Sequence, residues 1–371
     1  MDFNLSVPVK VISGENCVLE NSEKFVSFGN KCIIVTGGKS AALSGALDDV
    51  KHALEKENIE YTVFSKVGPN PLLSVCHEGG KIARSFGAQF VVGIGGGSPL
   101  DAAKAVAVYA ANEQLAPTDI YAPKERNRAL PLVLIGTTAG TGSEVGRVSV
   151  LTNDETNRKK SIAYEDCNPS LTFADSRYTH SMPYSVTVST ALDALCHALE
   201  GYFSLKCSDI PSMFAEKAIS MIWQGLSELC KTKEIPNSKM RTQLYYGSLY
   251  AGITLAYCGT AFPHPLGYVL TENYGTAHGT ACAAFLPEFM ERCAVYEKEK
   301  LQKVLLLTGE TFESFCKVVK ELTVLPKIEM SEEELVLYCA RWDSQLPNNF
   351  KFSPGAFTKD DAYEVLKKFL V

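Results

Sequence analysis

The run Ser189-Thr-Ala-Leu-Asp-Ala-Leu-Cys-His-Ala-Leu-Glu-Gly-Tyr202 is rich in Ala and Leu and is interrupted by two side chains able to do chemistry, Asp193 and His197. Its composition predicts a buried helix. On a helix, residues four apart share a face. A buried aspartate is costly unless it is paired or binds a metal. The pair therefore reads either as a buried Asp–His hydrogen bond or as half of a metal site. The chain has six histidines: His52, His77, His180, His197, His264 and His278. Two of them fall in later stretches of Gly, Pro and aromatic residues, Phe262-Pro-His-Pro-Leu-Gly-Tyr268 and Tyr274-Gly-Thr-Ala-His-Gly279. Asp193, His197, His264 and His278 together offer one carboxylate and three imidazoles, a set that suits a divalent ion. Glu200, one further turn pair along the Asp193 face, either supports a ligand histidine from outside or makes an ordinary ion pair.

A second chemical signal is Val92-Gly-Ile-Gly-Gly-Gly-Ser-Pro-Leu-Asp-Ala-Ala-Lys104. Gly95, Gly96 and Gly97 allow a close backbone approach to a ligand. Ser98 reads as an N-cap, Pro99 as the first helical residue and Asp101 as a capping-box partner. A helix starting there, after a strand, is a ready site for a diphosphate. It could also be a tight turn with nothing bound. Ile135-Gly-Thr-Thr-Ala-Gly-Thr-Gly-Ser-Glu-Val145 is a second such turn. Two at one sheet edge suggest a single long ligand across both.

The elements that must position these residues follow from periodicity. Val7–Gly14 has strand character, and Lys31–Gly38, Glu60–Phe64, Gln89–Ile94 and Leu132–Ile135 are short apolar strands, as in a buried parallel sheet. Helical patterns at Leu47–Lys56, Leu72–Phe86 and Ser98–Ala110 alternate with them, which argues for a doubly wound α/β domain. The texture then turns helical. Pro183–Phe203, Ser212–Cys230, Ser238–Tyr257, Gly279–Tyr296, Glu310–Leu322, Ser331–Trp342 and Lys359–Leu370 all read as helices. Ser331 and Thr358 carry N-cap and first-turn acid signals. The expected division is an α/β domain over 1–178 and an all-helical domain over 179–371. Val7–Ile12 has no obvious place in the first βαβ unit, so it is expected to pair with a second copy in a homodimer.

Composition narrows the partners. The chain has 371 residues, enough for two domains, and a net charge of -6 that gives no reason to expect nucleic acid or an anionic membrane. No apolar run reaches membrane-spanning length, and the N-terminus lacks a signal-peptide pattern. Twelve cysteines stand singly in apolar contexts, as reduced core residues of a cytoplasmic protein.

Taken together, Gly95–Asp101, Gly136–Glu144, Asp193–Glu200, His264–Tyr268 and His278-Gly279 resemble, in order and spacing, the iron-containing (group III) alcohol dehydrogenase family. The resemblance covers nearly the whole chain. It implies a dehydroquinate-synthase-like fold, with cofactor and metal meeting between the two domains. It implies Asp193, His197, His264 and His278 as ligands of iron(II), with zinc fitting the same donors. It implies cofactor contacts from Asn70, Gly95, Gly96, Gly97, Ser98, Asp101, Thr137, Thr138, Thr141, Ser143 and Lys160. Two departures stand out. Tyr268 replaces a histidine that many members carry, and so becomes the candidate catalytic side chain there. Gly146-Arg147 replaces a common Thr-Pro, making Arg147, with Phe262, a candidate substrate contact. The expected activity is hydride transfer between a nicotinamide and a small primary alcohol or short aldehyde, including an anionic one such as sulfoacetaldehyde or a semialdehyde. Rivals are a glycerol-dehydrogenase-like polyol oxidoreductase, a dehydroquinate synthase, disfavoured for want of a basic cluster in the helical half, and a metal- and nucleotide-binding scaffold without turnover.

Cofactor choice rests on Val35-Thr-Gly-Gly-Lys-Ser40. An acidic residue near the end of an early strand favours NAD by holding the ribose 2′-hydroxyl. Here Gly37 stands where NAD-preferring relatives carry aspartate, and Gly38, Lys39 and Ser40 offer room, a positive charge and a donor. NADP(H) is the expected cofactor, with NAD(H) the alternative.

Overall fold

A computed structural model of the chain describes residues 7–371. It divides into two compact units, one ending at Met182 and the other spanning Pro183–Val371. The strands of the first, in chain order, are β1 (Lys10–Ser13), β2 (Lys31–Gly37), β3 (Glu60–Val67), β4 (Phe90–Gly95), β5 (Leu132–Gly136), β6 (Ser149–Thr152), β7 (Lys159–Ile162) and β8 (Leu171–Ala174). β6 and β7 form a separate antiparallel pair. The other six make one parallel sheet in the order β1-β8-β5-β4-β2-β3.

Alternate residues of these apolar strands feed two different cores. Ile33, Val35, Val91, Leu132 and Leu134 enter one, packed with Val106 and Leu100. Cys32, Ile34, Phe90, Val92, Val133 and Ile135 enter the other, with Phe25 and Phe173. Burial on both faces explains why the strands read as continuous apolar runs. The strand order reverses between β2 and β4: the chain steps outward from β2 to β3 and returns on the other side. Gly95 and Gly136 end β4 and β5 in register, beside the end of β2. Ligand sites of open α/β sheets form at such a switch point, outside the carboxyl ends of the strands.

β1 corrects an expectation. It is not left over from the first βαβ unit but pairs in parallel with β8, from Lys10↔Leu171 to Ser13↔Ala174. Its partner escapes sequence reading because Leu171-Thr-Phe-Ala174 is only four residues long and leads into a short 3-10 turn, Ser176–Thr179, rather than directly into a helix. β6 and β7 escape because Lys159-Lys-Ser-Ile162 is mostly polar.

The second unit is helical. Its long helices are Tyr184–Phe203, Asp209–Thr232 and Ser238–Cys258. Pro263–Tyr274 and His278–Ala283 carry the remaining histidines of interest, and Leu286–Tyr296, Lys298–Thr308, Phe312–Leu322, Glu332–Ala340 and Lys359–Leu366 follow. Ser331 with Glu334 and Thr358 with Asp361 form the expected capping boxes. The single helix expected over Gly279–Tyr296 is two, broken before Leu286-Pro287. Proline in mid-helix lacks an N–H and clashes with the preceding turn, so a new helix starts around it. No described helix is long and apolar enough to cross a membrane. All twelve cysteines are free thiols.

Candidate functional site

Three helices of the second unit bring the predicted ligands together. Asp193 and His197 project from Tyr184–Phe203, His264 lies in the first turn of Pro263–Tyr274, and His278 opens the short helix His278–Ala283. Asp193 Oδ1 stands 3.8 Å from the Nε2 of each of His197, His264 and His278. That is too long for a hydrogen bond. It is near the edge of a tetrahedron whose donors lie about 2.1 Å from its centre, an edge of about 3.4 Å. The rings of His197 and His264 stack at 4.7 Å, and that of His278 lies edge-on to His264 at 5.4 Å. Asp193, His197 and His264 are buried, whereas the His278 side chain is 29% exposed and marks the open side. Tyr268 stacks on His278 at 5.5 Å and so holds that ring.

One glycine allows this convergence. A Cβ at Gly279 would lie 1.9 Å from the Ser189 carbonyl oxygen and 2.7 Å from Asp193 Cβ. The His278 helix seats on the Asp193 helix only because nothing projects there. The sequence motif His278-Gly279 thus combines a donor with the gap that lets it arrive.

Glu200 takes the supporting role of its two alternatives. It is fully buried, its Oε1 is 2.7 Å from His264 Nδ1, and its Oε2 accepts the Ala261 N–H at 2.7 Å. A carboxylate at Nδ1 leaves Nε2 as the donor atom facing the other ligands. His264 Nε2 is buried with no nitrogen or oxygen hydrogen-bond partner among the described residues. Burial alone would pull the His264 imidazole down, but facing Cys282 and Glu200 it is held well above its ordinary range. Burial in turn pushes the Glu200 carboxyl up, against the pull of His264. A buried ring nitrogen turned toward a carboxylate oxygen, with two further imidazole nitrogens at the same distance from that oxygen, fits a divalent ion.

Sequence reasoning did not single out one buried neighbour of this cluster, Cys282. The donor atoms of Asp193, His264, His278 and Cys282 all lie within 4.8 Å of one another. Cys282 follows His278 by one helical turn, the same spacing that singled out Asp193 and His197.

In the first unit the glycine turn lies at the switch point, but its helix begins earlier than expected. The helix spans Gly97–Ala111, with Gly96 as its cap and no side-chain cap hydrogen bond. Ser98 lies inside the first turn, where its Oγ accepts the Asn70 N–H at 3.2 Å. Asp101 makes no capping box. Its carboxylate accepts Ser143 Oγ at 2.6 Å and the Val150 N–H at 2.9 Å, because that polar corner lies beside it. Buried Lys104 completes the corner, donating to Ser143 and Val148 at 2.7 Å. With no cap side chain present, the first-turn N–H groups remain available to an anion.

The two glycine turns pack on each other. A Cβ at Gly96 would come within 3.0 Å of Thr138, and one at Gly97 within 2.5 Å of Thr141. Thr137 Oγ1 is buried without a hydrogen-bond partner among the described residues. At the end of β2, a Cβ at Gly37 would stand 3.2 Å from Pro99, whereas Gly38 borders open space. Gly38, Lys39 and Ser40 are exposed. Lys160 is exposed on β7, its ammonium 4.7 Å from the centre of the Tyr121 ring. Arg147 is 3.9 Å from Glu165 in an exposed ion pair. Phe262 is buried, stacked on Phe357 at 3.9 Å, with its N–H on Ser353 Oγ. Its ring belongs to the aromatic core rather than being presented to a substrate.

The chain matches the model of iron-containing alcohol dehydrogenases over residues 8–176, and that of their C-terminal domain over 187–335. It is 34% identical to a long-chain primary alcohol dehydrogenase of Thermoanaerobacter ethanolicus, over 90% of this chain and 80% of the relative. It is 30% identical to an NADPH-dependent butanol dehydrogenase of Clostridium saccharobutylicum, over 82% and 80%. The crystal structure of sulfoacetaldehyde reductase from Bifidobacterium kashiwanohense in complex with NAD+ superposes with a TM-score of 0.87 at 25% identity, covering 100% of this chain and 99% of that one. With both family models matched in order, one on each side of the boundary between the sheet and the helices, the chain belongs to the iron-containing alcohol dehydrogenase family.

Proposed function

We propose that Asp193, His197, His264 and His278 hold one divalent ion, iron(II) or zinc, and that the chain exchanges hydride between NADP(H) and a small primary alcohol or short-chain aldehyde. The observation that carries this reading is one carboxylate oxygen 3.8 Å from three imidazole nitrogens. When bound, the ion supplies Lewis acidity to the substrate oxygen, and the nicotinamide carries the hydride. The chain's own residues supply position and exclusion of water. Buried Asp193, His197 and His264 form a dry wall, and half-buried His278, braced by Tyr268, lies on the side from which substrate enters. Glu200 fixes the His264 tautomer. The first-turn N–H groups after Gly96 receive the diphosphate, with Gly95 and Gly97 keeping side chains out of its way. Thr137, Thr138, Thr141 and Asn70 line the same turns, while Asp101, Ser143 and Lys104 brace them from behind.

NADP(H) is favoured over NAD(H) because the end of β2 offers exposed Lys39 and Ser40 and no carboxylate. The butanol dehydrogenase relative is NADPH-dependent and the reductase structure holds NAD+, so both choices exist among similar proteins. Assembly as a homodimer in the cytoplasm belongs to the same reading. β1 is an outer strand with three of its four residues exposed, and open edges tend to be paired or covered. A monomeric mass at micromolar concentration would count against it.

The central test removes the ion. One equivalent of metal per chain is expected in protein purified without air. His264→Ala should lose both metal and aldehyde reduction while keeping its helical circular dichroism. Full activity after thorough chelation would end this reading.

A further inference from the structure

We infer that Cys282 is a fifth protein donor to the metal, making the centre an Asp–His–His–His–Cys site. This rests on the proposed assignment of Asp193 and the three histidines. Cys282 is fully buried on the His278 helix, its Sγ 3.7 Å from His278 Nδ1 and 3.9 Å from Nε2. Its sulfur shares with Asp193, His264 and His278 a group of donor atoms all within 4.8 Å of one another. A buried cysteine alone means little, since cysteine packs as a small apolar residue. The second observation is His264, 3% exposed, whose Nε2 in the same group has no nitrogen or oxygen partner. The thiol therefore faces the His264 ring of another helix, within the same group of donor atoms.

The backbone holds it there. A Cβ at Gly267 would come within 2.8 Å of Cys282 Sγ and 2.9 Å of its N, so the His264 helix presses directly on this residue. The sulfur has little freedom to turn away. On binding, the S–H bond breaks, the proton leaves to solvent, and the sulfur electron pair forms the bond to the ion. A thiolate is a soft ligand, so it biases an otherwise hard oxygen and nitrogen set towards zinc or cobalt and away from manganese.

Cobalt(II), added at one equivalent to chelated protein without air, reads the ligands directly. Nitrogen and oxygen donors give weak visible bands, whereas a thiolate adds an intense near-ultraviolet charge-transfer band. Wild type should show both, and Cys282→Ser should keep the visible bands and lose the near-ultraviolet one. The same variant should lose zinc affinity by about tenfold, the low end of what removing a supporting residue costs, with manganese affinity unchanged. Visible bands without the near-ultraviolet band in wild type would overturn the role of Cys282 and leave the four-ligand reading standing. A near-ultraviolet band that survives Cys282→Ser would also overturn it. Absence of all cobalt bands would overturn both readings.

Discussion

The two units prepare their sites in opposite ways. In the helical unit the proposed metal site is made of side chains, and the backbone's task is to bring them close. Asp193, His264 and Glu200 are buried, and the Glu200 carboxylate holds the His264 ring. In the α/β unit the proposed diphosphate site relies on backbone N–H groups, and the side chains named by the motif largely face one another. Asp101 and Ser143 are partners, and Gly96 and Gly97 lie against Thr138 and Thr141. A metal demands particular donor atoms at fixed distances. A diphosphate is satisfied by a helix start and room beside it. Glycine serves both, but at Gly279 it lets two helices touch, whereas at Gly38 it leaves space empty.

That contrast can be broken most severely at Gly279. Gly279→Ala should push the His278 helix off Ser189 and Asp193, costing about 1–3 kcal/mol of stability in thermal unfolding. It should lose most bound metal, while binding of NADPH, followed by fluorescence, stays near wild type. Retained metal with unchanged melting would show that the close contact is unimportant. Next is Glu200→Gln, which keeps the shape but removes the charge behind His264. Metal affinity should fall about 10–100-fold, as for other residues that orient a ligand histidine. An unchanged affinity would reduce Glu200 to packing.

A smaller effect is expected on the nucleotide side. Gly37→Asp should shift preference from NADP towards NAD by about 1–3 kcal/mol, the range for a charged hydrogen bond. Gly37→Ala serves as the control, because any side chain there meets Pro99 at 3.2 Å. An equal change in both variants would assign the effect to strain rather than charge. A wild-type enzyme tenfold more efficient with NADH would reverse the expected preference. The smallest change is Arg147→Ala. Its exposed pair with Glu165 should contribute about 0–1 kcal/mol to stability. Equal rates on an acidic and a neutral aldehyde of matched length would confine Arg147 to that pair.

The same contrast explains what was legible in the sequence. Asp193, His197, His264 and His278 stand out because polar residues amid apolar or turn residues are rare and their types specify chemistry. The proposed donor Cys282 does not stand out, because one cysteine among twelve looks like core. Glu200 was visible as a position on a helix face, but its partner lay on another helix and periodicity cannot reach across. The apolar strands β2, β4 and β5 are legible in the sequence, whereas β7 is mostly polar and β8 stands outside the strand–helix alternation. The Ser98 cap was misplaced because cap statistics ignore tertiary competition. Asn70 claims the Ser98 hydroxyl, and Ser143 and Val150 claim Asp101.

The pairing of β1 with β8 has a consequence for biosynthesis. The first strand of the unit to leave the ribosome must wait for the last. At about 5–20 residues per second, the interval between Lys10 and its partner Leu171 is roughly 8–30 s. During that interval β2, β3, β4 and β5 can assemble, but the side of β5 that will receive β8 stays open. Non-local parallel pairing of this kind is slow in any case. A nascent chain arrested before Leu171 therefore exposes an apolar strand edge that the finished chain covers, and that edge is where a chaperone or a second nascent chain would first take hold.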